Sequence, residues 1–430
     1  MAQSTYPEYQ NASGWNALLP PRAPRAALAT DTAADVAIIG AGYTGIAAAR
    51  RWAAARDDDR LVVLESGDVG EGNPGRNSGF LLEIMLANDA DTSALPRMRH
   101  ANQLIGDTMN RLRDDVFDAG IRCDIERSGT YRAAAGAAGK RALDRYRHFL
   151  QDAGLPFERL NAEELKSRVG TGHYQAALYS PQCYLVQPAA LIRGLADLCP
   201  SSVEIFERTP ALRIRSTPNG WSIQTPSGSV EASTVIVANN AFAKQLGLGS
   251  SRVVAMYTYA GLTQPMPDWC RESAGSDESW GILPTHRLGC TLRRTRDGRL
   301  LMRSQYDYER EADNSMVSDK LLESLKQRYP DIPVDGFDHV WGGATGFTLN
   351  GAPIWGQHKP GLFVSAGCNG GGVVKGTLFG EQLADLALGR EVQPVAELFG
   401  SARWMPPDPI RRLGFEIVSR IERHHGRAEM

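Results

Sequence analysis

Asp35-Val36-Ala37-Ile38-Ile39-Gly40-Ala41-Gly42-Tyr43-Thr44-Gly45 is the stretch whose reading decides the fold. The β-branched run Val36 to Ile39 predicts a buried parallel strand. It feeds a Gly-x-Gly-x-x-Gly turn and an Ala-rich helix from about Thr44 to Ala55. Gly40 permits the tight turn, Gly42 lets the backbone approach a pyrophosphate with no Cβ in the way, and Gly45 lets the helix pack close on the strand. The helix N-terminus, with Tyr43 and Thr44 in its first turn, then points free N–H groups and a positive dipole end at the phosphates. A second run, Leu61-Val62-Val63-Leu64, ends in Glu65, 20 residues after Gly45. At that spacing an acid, here with Ser66 beside it, meets a ribose hydroxyl. Strand, glycines, helix and acid in this order predict a dinucleotide site.

The whole chain accommodates that site easily. Its 430 residues can hold a doubly wound nucleotide domain and a second domain for substrate. Hydrophobic residues at 42% and charged residues at 22% are the balance of an ordinary soluble enzyme, and a net charge of −2 leaves no electrostatic footprint for nucleic acid. The six cysteines lie far apart, without a Cys-x-x-Cys pair or a zinc-like histidine spacing, so reduced thiols and no metal are expected. No apolar run approaches the length of a membrane span, and Met1 to Asn16 lacks the basic start and apolar core of a signal peptide. A cytoplasmic protein is the expectation.

Taken in order, residues 1–32 read as an irregular arm on the domain surface, with Trp15, Pro20, Pro21 and Pro24 and no clear periodicity. The acids Asp57 to Asp59 form the solvated turn between the first helix and second strand. The glycine-rich segment from Gly70 to Gly79, with Gly75-Arg76-Asn77-Ser78 inside it, suits a loop that lies along the bound dinucleotide. Helices are predicted over 96–119, 140–150, from Pro188, over 318–328 and over 373–388. Strands are predicted over 122–133, 203–206, 212–214, 221–224 and 234–238. From about 246 to 339 the strands turn rich in Tyr, Leu and Arg, which reads as a mainly antiparallel insert. Leu362 to Ser365 then restores buried parallel character. It leads through Gly367-Cys368-Asn369-Gly370-Gly371-Gly372 to a helix N-terminus aimed at an electron-rich ring.

These markers, with Val235 to Ala241, Trp341-Gly342-Gly343, Thr348, Pro353 and Gly356, resemble the D-amino-acid oxidase family of FAD-dependent amine oxidases over residues 33–390. That family includes glycine and sarcosine oxidases, and the resemblance is nearest to its bacterial γ-glutamylputrescine oxidase and L-pipecolate oxidase branch. It implies an α/β fold: a Rossmann-like FAD-binding domain of the glutathione-reductase type with an inserted, mainly antiparallel substrate domain. The expected division is an arm over 1–32, an FAD-binding domain over 33–95, 186–245 and 340–400, a substrate domain over 96–185 and 246–339, and a helical tail over 401–430. Carried over position by position, Gly40, Gly42 and Gly45 hold the pyrophosphate and Glu65 the ribose. Gly75, Arg76, Asn77 and Ser78 line the flavin, and Ala211 meets the adenine. Ala238, Asn239 and Gly343 join the cofactor wall, and Gly370, Gly371, Gly372 and Val373 address the pyrimidine edge, where reduced flavin carries negative charge.

The departures from the family pattern are informative. Neither Gly75 to Gly79 nor Trp341 to Thr348 offers a His or Cys tether, so noncovalent FAD is expected. Gly370-Gly371-Gly372 stands where many relatives have Gly-His-Gly. Val374 stands where sarcosine-oxidase-like chains have a carboxylate-binding lysine, and Lys375 falls one position later.

The reaction implied is hydride removal from a carbon bearing an amine, with O2 as acceptor. Tyr257, Tyr259, His286, Arg303 and Tyr306 are the candidate wall residues. An amino-acid substrate calls for a buried cation, Arg303 first and Lys375 second, whereas a polyamine calls for an acid such as Asp307 or Glu309. L-Pipecolate is the expected substrate, with γ-glutamylputrescine as the alternative and an NAD(P)H-fed flavin reductase or hydroxylase as the alternative of another class. In the tail, Ile410, Leu413, Ile417 and Ile421 form an apolar stripe beside Arg411, Arg412, Arg420 and Arg423. The stripe is expected to dock on its own domain; the other reading is an anchor that brings the flavin to a quinone at the inner face of the membrane.

Overall fold

The computed structural model describes residues 4–85 and 95–430, and two sheets organise them. Strand Thr32–Ile39 is central to the first, paired in parallel with Leu61–Leu64 on one side and Ser229–Val237 on the other. Val203–Phe206 and Leu362–Ala366 extend the parallel set outward. Ile354–Lys359 closes one edge antiparallel, and the hairpin Arg213–Thr217 and Gly220–Gln224 hangs from Ser229–Val237. Val36 to Ile39 and Leu61 to Leu64 are all buried, because helices or loops cover both sheet faces; this is why they read as unbroken apolar runs.

Helices Tyr43–Ala53 and Val374–Ala387 pack together on one face. A Cβ at Gly380 would lie 2.1 Å from the Thr44 carbonyl oxygen, and one at Gly376 3.0 Å from Thr44 Oγ1. The absence of side chains at these two points lets the helices touch, so their N-termini open side by side. Arg51 Nε reaches both Asp385 oxygens at 2.9 and 3.0 Å, and Arg50 grips Asp115 at 2.7 and 2.9 Å.

The second sheet runs His339–Phe347, Val254–Leu262, Leu300–Tyr308, Thr291–Arg294, Trp280–Pro284, Thr130–Ala134, Ala176–Ser180, Glu158–Asn161. Only the Trp280–Pro284 to Thr130–Ala134 pairing is parallel. Helix Asn314–Arg328, capped by Asp313, buries Val317, Leu321 and Leu325 in the core of this sheet. The α/β fold class expected from sequence holds.

Four local expectations change. Segment 340–347, assigned to the nucleotide domain, pairs along Val254–Leu262 in the second sheet. Helix Leu95–Asp118, assigned to the substrate domain, shares the first domain's core: its Met98, Ile105, Met109 and Leu112 pack in one cluster with Ile46, Trp52, Leu378 and Leu383. The strand predicted over 122–133 with a kink at Ser128-Gly129 survives only beyond that kink, as Thr130–Ala134, because Gly129 (φ 66°) and, before it, Asp124 (φ 50°) leave the extended region. The arm is tied into the body as well as lying on it. Trp15 is 2% exposed and packs with Ala260, Leu301 and Trp341.

The tail departs furthest from expectation. Helix Ile410–His425 docks, but Ile410, Leu413, Ile417 and Ile421 are 49–62% exposed. The opposite side makes the contacts: Phe415 stacks on Tyr308 with centroids 5.4 Å apart, Arg411 Nε donates to Tyr308 Oη at 2.9 Å, and Glu422 meets His286 at 2.8 Å. The surface beneath the helix offers aromatic and hydrogen-bonding partners, which the apolar stripe could not use. Among the described residues no helix is long and apolar enough to cross a membrane.

Candidate functional site

One cavity of about 270 Å³ runs from the C-terminal ends of the parallel strands to one face of the second sheet. Its floor starts at the glycine turn. Gly40 has φ 103°, and a Cβ there would lie 3.0 Å from the Ala238 carbonyl oxygen. Gly42 caps the helix Tyr43–Ala53, whose first N–H groups face the cavity. A Cβ at Gly45 would stand 1.8 Å from the Gly40 carbonyl oxygen, so Gly45 serves strand–helix packing and does not itself line the cavity. Gly75 behaves likewise, with its Cβ position 1.9 Å from the Gly70 oxygen.

Glu65 is oriented by three donors: Ala41 N at 2.9 Å, Gly67 N at 3.1 Å and Ser66 Oγ at 3.1 Å. Burial raises its pKa above the ordinary carboxylate value against the pull of these bonds. Asn77 braces the next loop, donating to the Pro74 carbonyl at 2.6 Å and accepting from Gly79 N at 2.8 Å. Arg76 is buried and spends its guanidinium on the carbonyls of Glu71, Gly342 and Asn11 at 2.6–2.8 Å. Its charge therefore holds protein segments together, and only the rest of the side chain is left to the cavity; burial lowers its pKa.

At the far end, Asn240 and Asn369 shape the second glycine loop. Both adopt positive φ, 50° and 52°. Asn240 Oδ1 accepts from Gly367 N at 3.0 Å and Cys368 N at 3.2 Å, while Asn369 Nδ2 donates to the Gly367 carbonyl at 2.7 Å. Gly370, Gly371 and Gly372 then lead to Val373, the N-cap of helix Val374–Ala387.

Every cofactor residue expected from sequence except Gly45 and Gly75 lines this cavity: Gly40, Gly42, Tyr43, Thr44, Glu65, Ser66, Arg76, Asn77, Ser78, Ala211, Ala238, Asn239, Gly343 and Gly370 to Val373. The wall also carries polar atoms that need a ligand. Ser78 Oγ, Asn239 Oδ1 and Thr258 Oγ1 are buried without a hydrogen-bond partner, at a cost of about 1–3 kcal/mol each if left so. Two helix N-termini, a seated acid and these unpaired groups, spread along one elongated cavity, fit FAD.

The substrate candidates separate. Arg303 and Lys375 line the cavity. Tyr257 and Tyr259 do not: they lie on the opposite face of strand Val254–Leu262 from the lining residues Thr258 and Ala260, and join the core under helix Asn314–Arg328. Tyr259 Oη accepts from Ala312 N at 2.6 Å, and burial raises the pKa of both phenols. His286 lies past the end of strand Trp280–Pro284, where the turn carries it to Glu422 of the tail helix and away from the cavity. Tyr306 and Asp307 border a groove under that helix, and Glu309 is buried against Lys244. The described residues contain no cluster of metal ligands.

The reading by residue type passed over Thr258, Ala260, Leu283 and Thr291 on the roof and Phe80, Leu82 and Ile84 near it. All nine residues of Val254–Leu262 are buried, so alternation gives no sign of which face lines a cavity. It also passed over Thr5, Tyr6, Pro7 and Tyr9 of the arm.

Comparison with known proteins adds independent findings. Residues 35–386 match the family described as DAO, FAD dependent oxidoreductase. The chain is 27% identical over 373 residues to the probable oxidoreductase OrdL of Rhizobium meliloti strain 1021, covering 84% of each. It is 26% identical over 368 residues to the gamma-glutamylputrescine oxidoreductase of Escherichia coli K12, covering 83% of this chain and 84% of that one. The crystal structure of glycine oxidase from Geobacillus kaustophilus superposes with a TM-score of 0.74 at 23% identity, over 87% of this chain and all of the other.

Proposed function

Since this chain belongs to the DAO family of FAD-dependent oxidoreductases, enzymes acting on amine and amino-acid C–N bonds, we propose that it oxidises a secondary amino acid to an imine, with L-pipecolate as substrate and O2 as acceptor. The observation that carries an amino acid over a polyamine is the charge of the wall. Arg303 lines the cavity without a carboxylate partner among the described residues, and Glu65, at the ribose end, is the one carboxylate among the described lining residues. A free guanidinium recognises a substrate carboxylate in two parallel hydrogen bonds, whereas a polyamine without a carboxylate would be repelled. Arg76 and Lys375 are the other cations of that wall.

Bound FAD supplies the acceptor for the hydride equivalent. Arg303, on the rigid strand Leu300–Tyr308, anchors the substrate carboxylate, and Thr291 stands opposite it in the sheet. Phe80, Leu82, Ile84 and Leu283 offer apolar wall for ring methylenes and exclude water. That desolvation favours the neutral amine, whose reference pKa is near ~10.4, and so the reactive protonation state. The N-terminus of helix Val374–Ala387 stabilises negative charge at its end of the cavity.

The test is an anaerobic stopped-flow titration of the holoenzyme with L-pipecolate, proline, sarcosine, γ-glutamylputrescine and D-amino acids in separate runs. Rapid bleaching of the flavin by L-pipecolate is expected. Bleaching by γ-glutamylputrescine alone would overturn the amino-acid reading, and bleaching by NADPH would place the chain in the reductase class.

A second reading concerns the acceptor. The outward stripe Ile410, Leu413, Ile417 and Ile421, with exposed Arg420 and Arg423 on the same helix, favours an anionic membrane surface and a quinone. Aerobic turnover that yields peroxide, with no binding to phosphatidylglycerol vesicles, supports O2. Turnover restored only by added quinone, with vesicle binding lost in Ile417→Glu, supports the membrane.

A further inference from the structure

We propose that residues 4–16 form a strap that closes the cofactor cavity and retains FAD, with Tyr9 as the residue that holds it in place. This segment lies outside the residues that match the family, 35–386, so nothing in the match assigns it a role. Thr5, Tyr6, Pro7 and Tyr9 nevertheless line the same cavity as Gly42, Asn73 and Arg76, and Thr5 Oγ1 is buried without a partner.

The strap is fastened from Tyr9 to Trp15. At the inner end Trp15 is buried, and its Nε1 donates to the Asn77 carbonyl at 2.8 Å, while Ser13 Oγ donates to the Gly75 carbonyl at 2.6 Å. Both acceptors belong to the loop expected to lie along the flavin. The chain then follows the edge strand His339–Phe347: Asn11 Nδ2 donates to the Val340 carbonyl at 2.9 Å, and Ala344 N donates to Tyr9 Oη at 3.3 Å. Gln10 ties the same stretch to the turn before helix Asn314–Arg328, through its N to Glu311 at 3.0 Å and its Nε2 to the Ala312 carbonyl at 2.7 Å.

Tyr9 joins the arm to the loop. The Arg76 guanidinium lies 3.6 Å from its ring centroid, and Tyr257 meets it edge-on at 6.4 Å. Arg76 also donates to the Asn11 carbonyl, so one buried cation binds the strap by its ring and by its backbone. The strap thus covers a loop–strand seam of the cavity, and a cofactor held without a covalent bond dissociates faster when that cover is loosened. The inference rests on FAD binding and is independent of the substrate proposed above.

The experiment measures FAD release from full-length holoenzyme by recovery of free-flavin fluorescence on dilution, together with chymotrypsin cleavage after Tyr9 with and without FAD. Tyr9→Ala should release FAD about tenfold faster, the scale of a lost cation–π contact and its buried ring, and Tyr9→Phe within about twofold of the parent. Gln10→Ala, which leaves the cavity wall intact, should speed release by about threefold through one lost tether. Bound FAD should slow cleavage of the arm about tenfold. Unchanged release in Gln10→Ala and in Tyr9→Ala, or cleavage indifferent to FAD, would overturn the proposal. If Tyr9→Ala fails to fold, Gln10→Ala and the cleavage assay decide it.

Discussion

The floor of the cavity is made of backbone, whereas its roof is made of side chains. Gly40, Gly42 and Gly370 to Gly372 present main-chain groups to the cavity, and their spacing is written in the chain. Thr258, Ala260, Thr291 and Arg303 come from three strands of one sheet and share the cavity only because of register: Thr291 and Ala260 both stand opposite Arg303. The difference teaches that a glycine-lined floor follows from local chain geometry, while a side-chain wall follows from which face of a buried strand is turned inward.

The largest effect expected tests the floor. Gly45→Val puts a side chain into the Gly40 carbonyl and should cost more than about 3 kcal/mol, giving protein that is purified colourless and melts early. Retained FAD in this variant would break the contrast, because the strand–helix packing that sets the floor would then tolerate a side chain. Next comes the roof: Arg303→Ala should lower kcat/KM for the amino acid by about 10²–10³-fold at unchanged flavin content, from loss of a charge-assisted pair. Arg303→Lys should recover part of it. A smaller pair of variants sharpens the assignment of faces. Thr258→Val should weaken FAD binding about threefold to tenfold, while Tyr257→Phe, on the other face, should leave kcat/KM within about twofold.

The smallest effect lies outside both walls. His173, whose Nε2 contacts the Ala428 carbonyl at 3.1 Å, has its pKa pushed down to about 4 by burial and by nearby Arg328. The unfolded chain protonates this ring near ~6.5 and the folded one does not, so stability falls as the pH drops from there toward 4. His173→Gln should flatten that slope by on the order of 1 kcal/mol, read as about 2 °C in Tm between pH 7 and pH 5, the ring being partly exposed.

The two chain ends repeat the contrast on a larger scale. The arm, irregular in sequence, turns Tyr9, Ser13 and Trp15 inward because Arg76 and the carbonyls of Gly75 and Asn77 offer them partners. The tail, regular and amphipathic in sequence, turns its apolar stripe outward because Tyr308 and His286 bind its other side. Periodicity reports that a helix has two faces but not which one a neighbour can use.

What the sequence by itself determined was the parallel sheet, its glycine turn, Glu65 and the second glycine loop, because each is specified within a dozen residues by backbone sterics and apolar runs. Most of the cofactor wall was legible for the same reason. Only the tertiary structure decided that Arg303 faces the cavity while Tyr257, Tyr259 and His286 do not, that Tyr9 joins the wall, and that the tail helix docks by Phe415. Those placements depend on register between strands and on partners hundreds of residues away, and a buried strand carries no mark of which side its neighbours leave open.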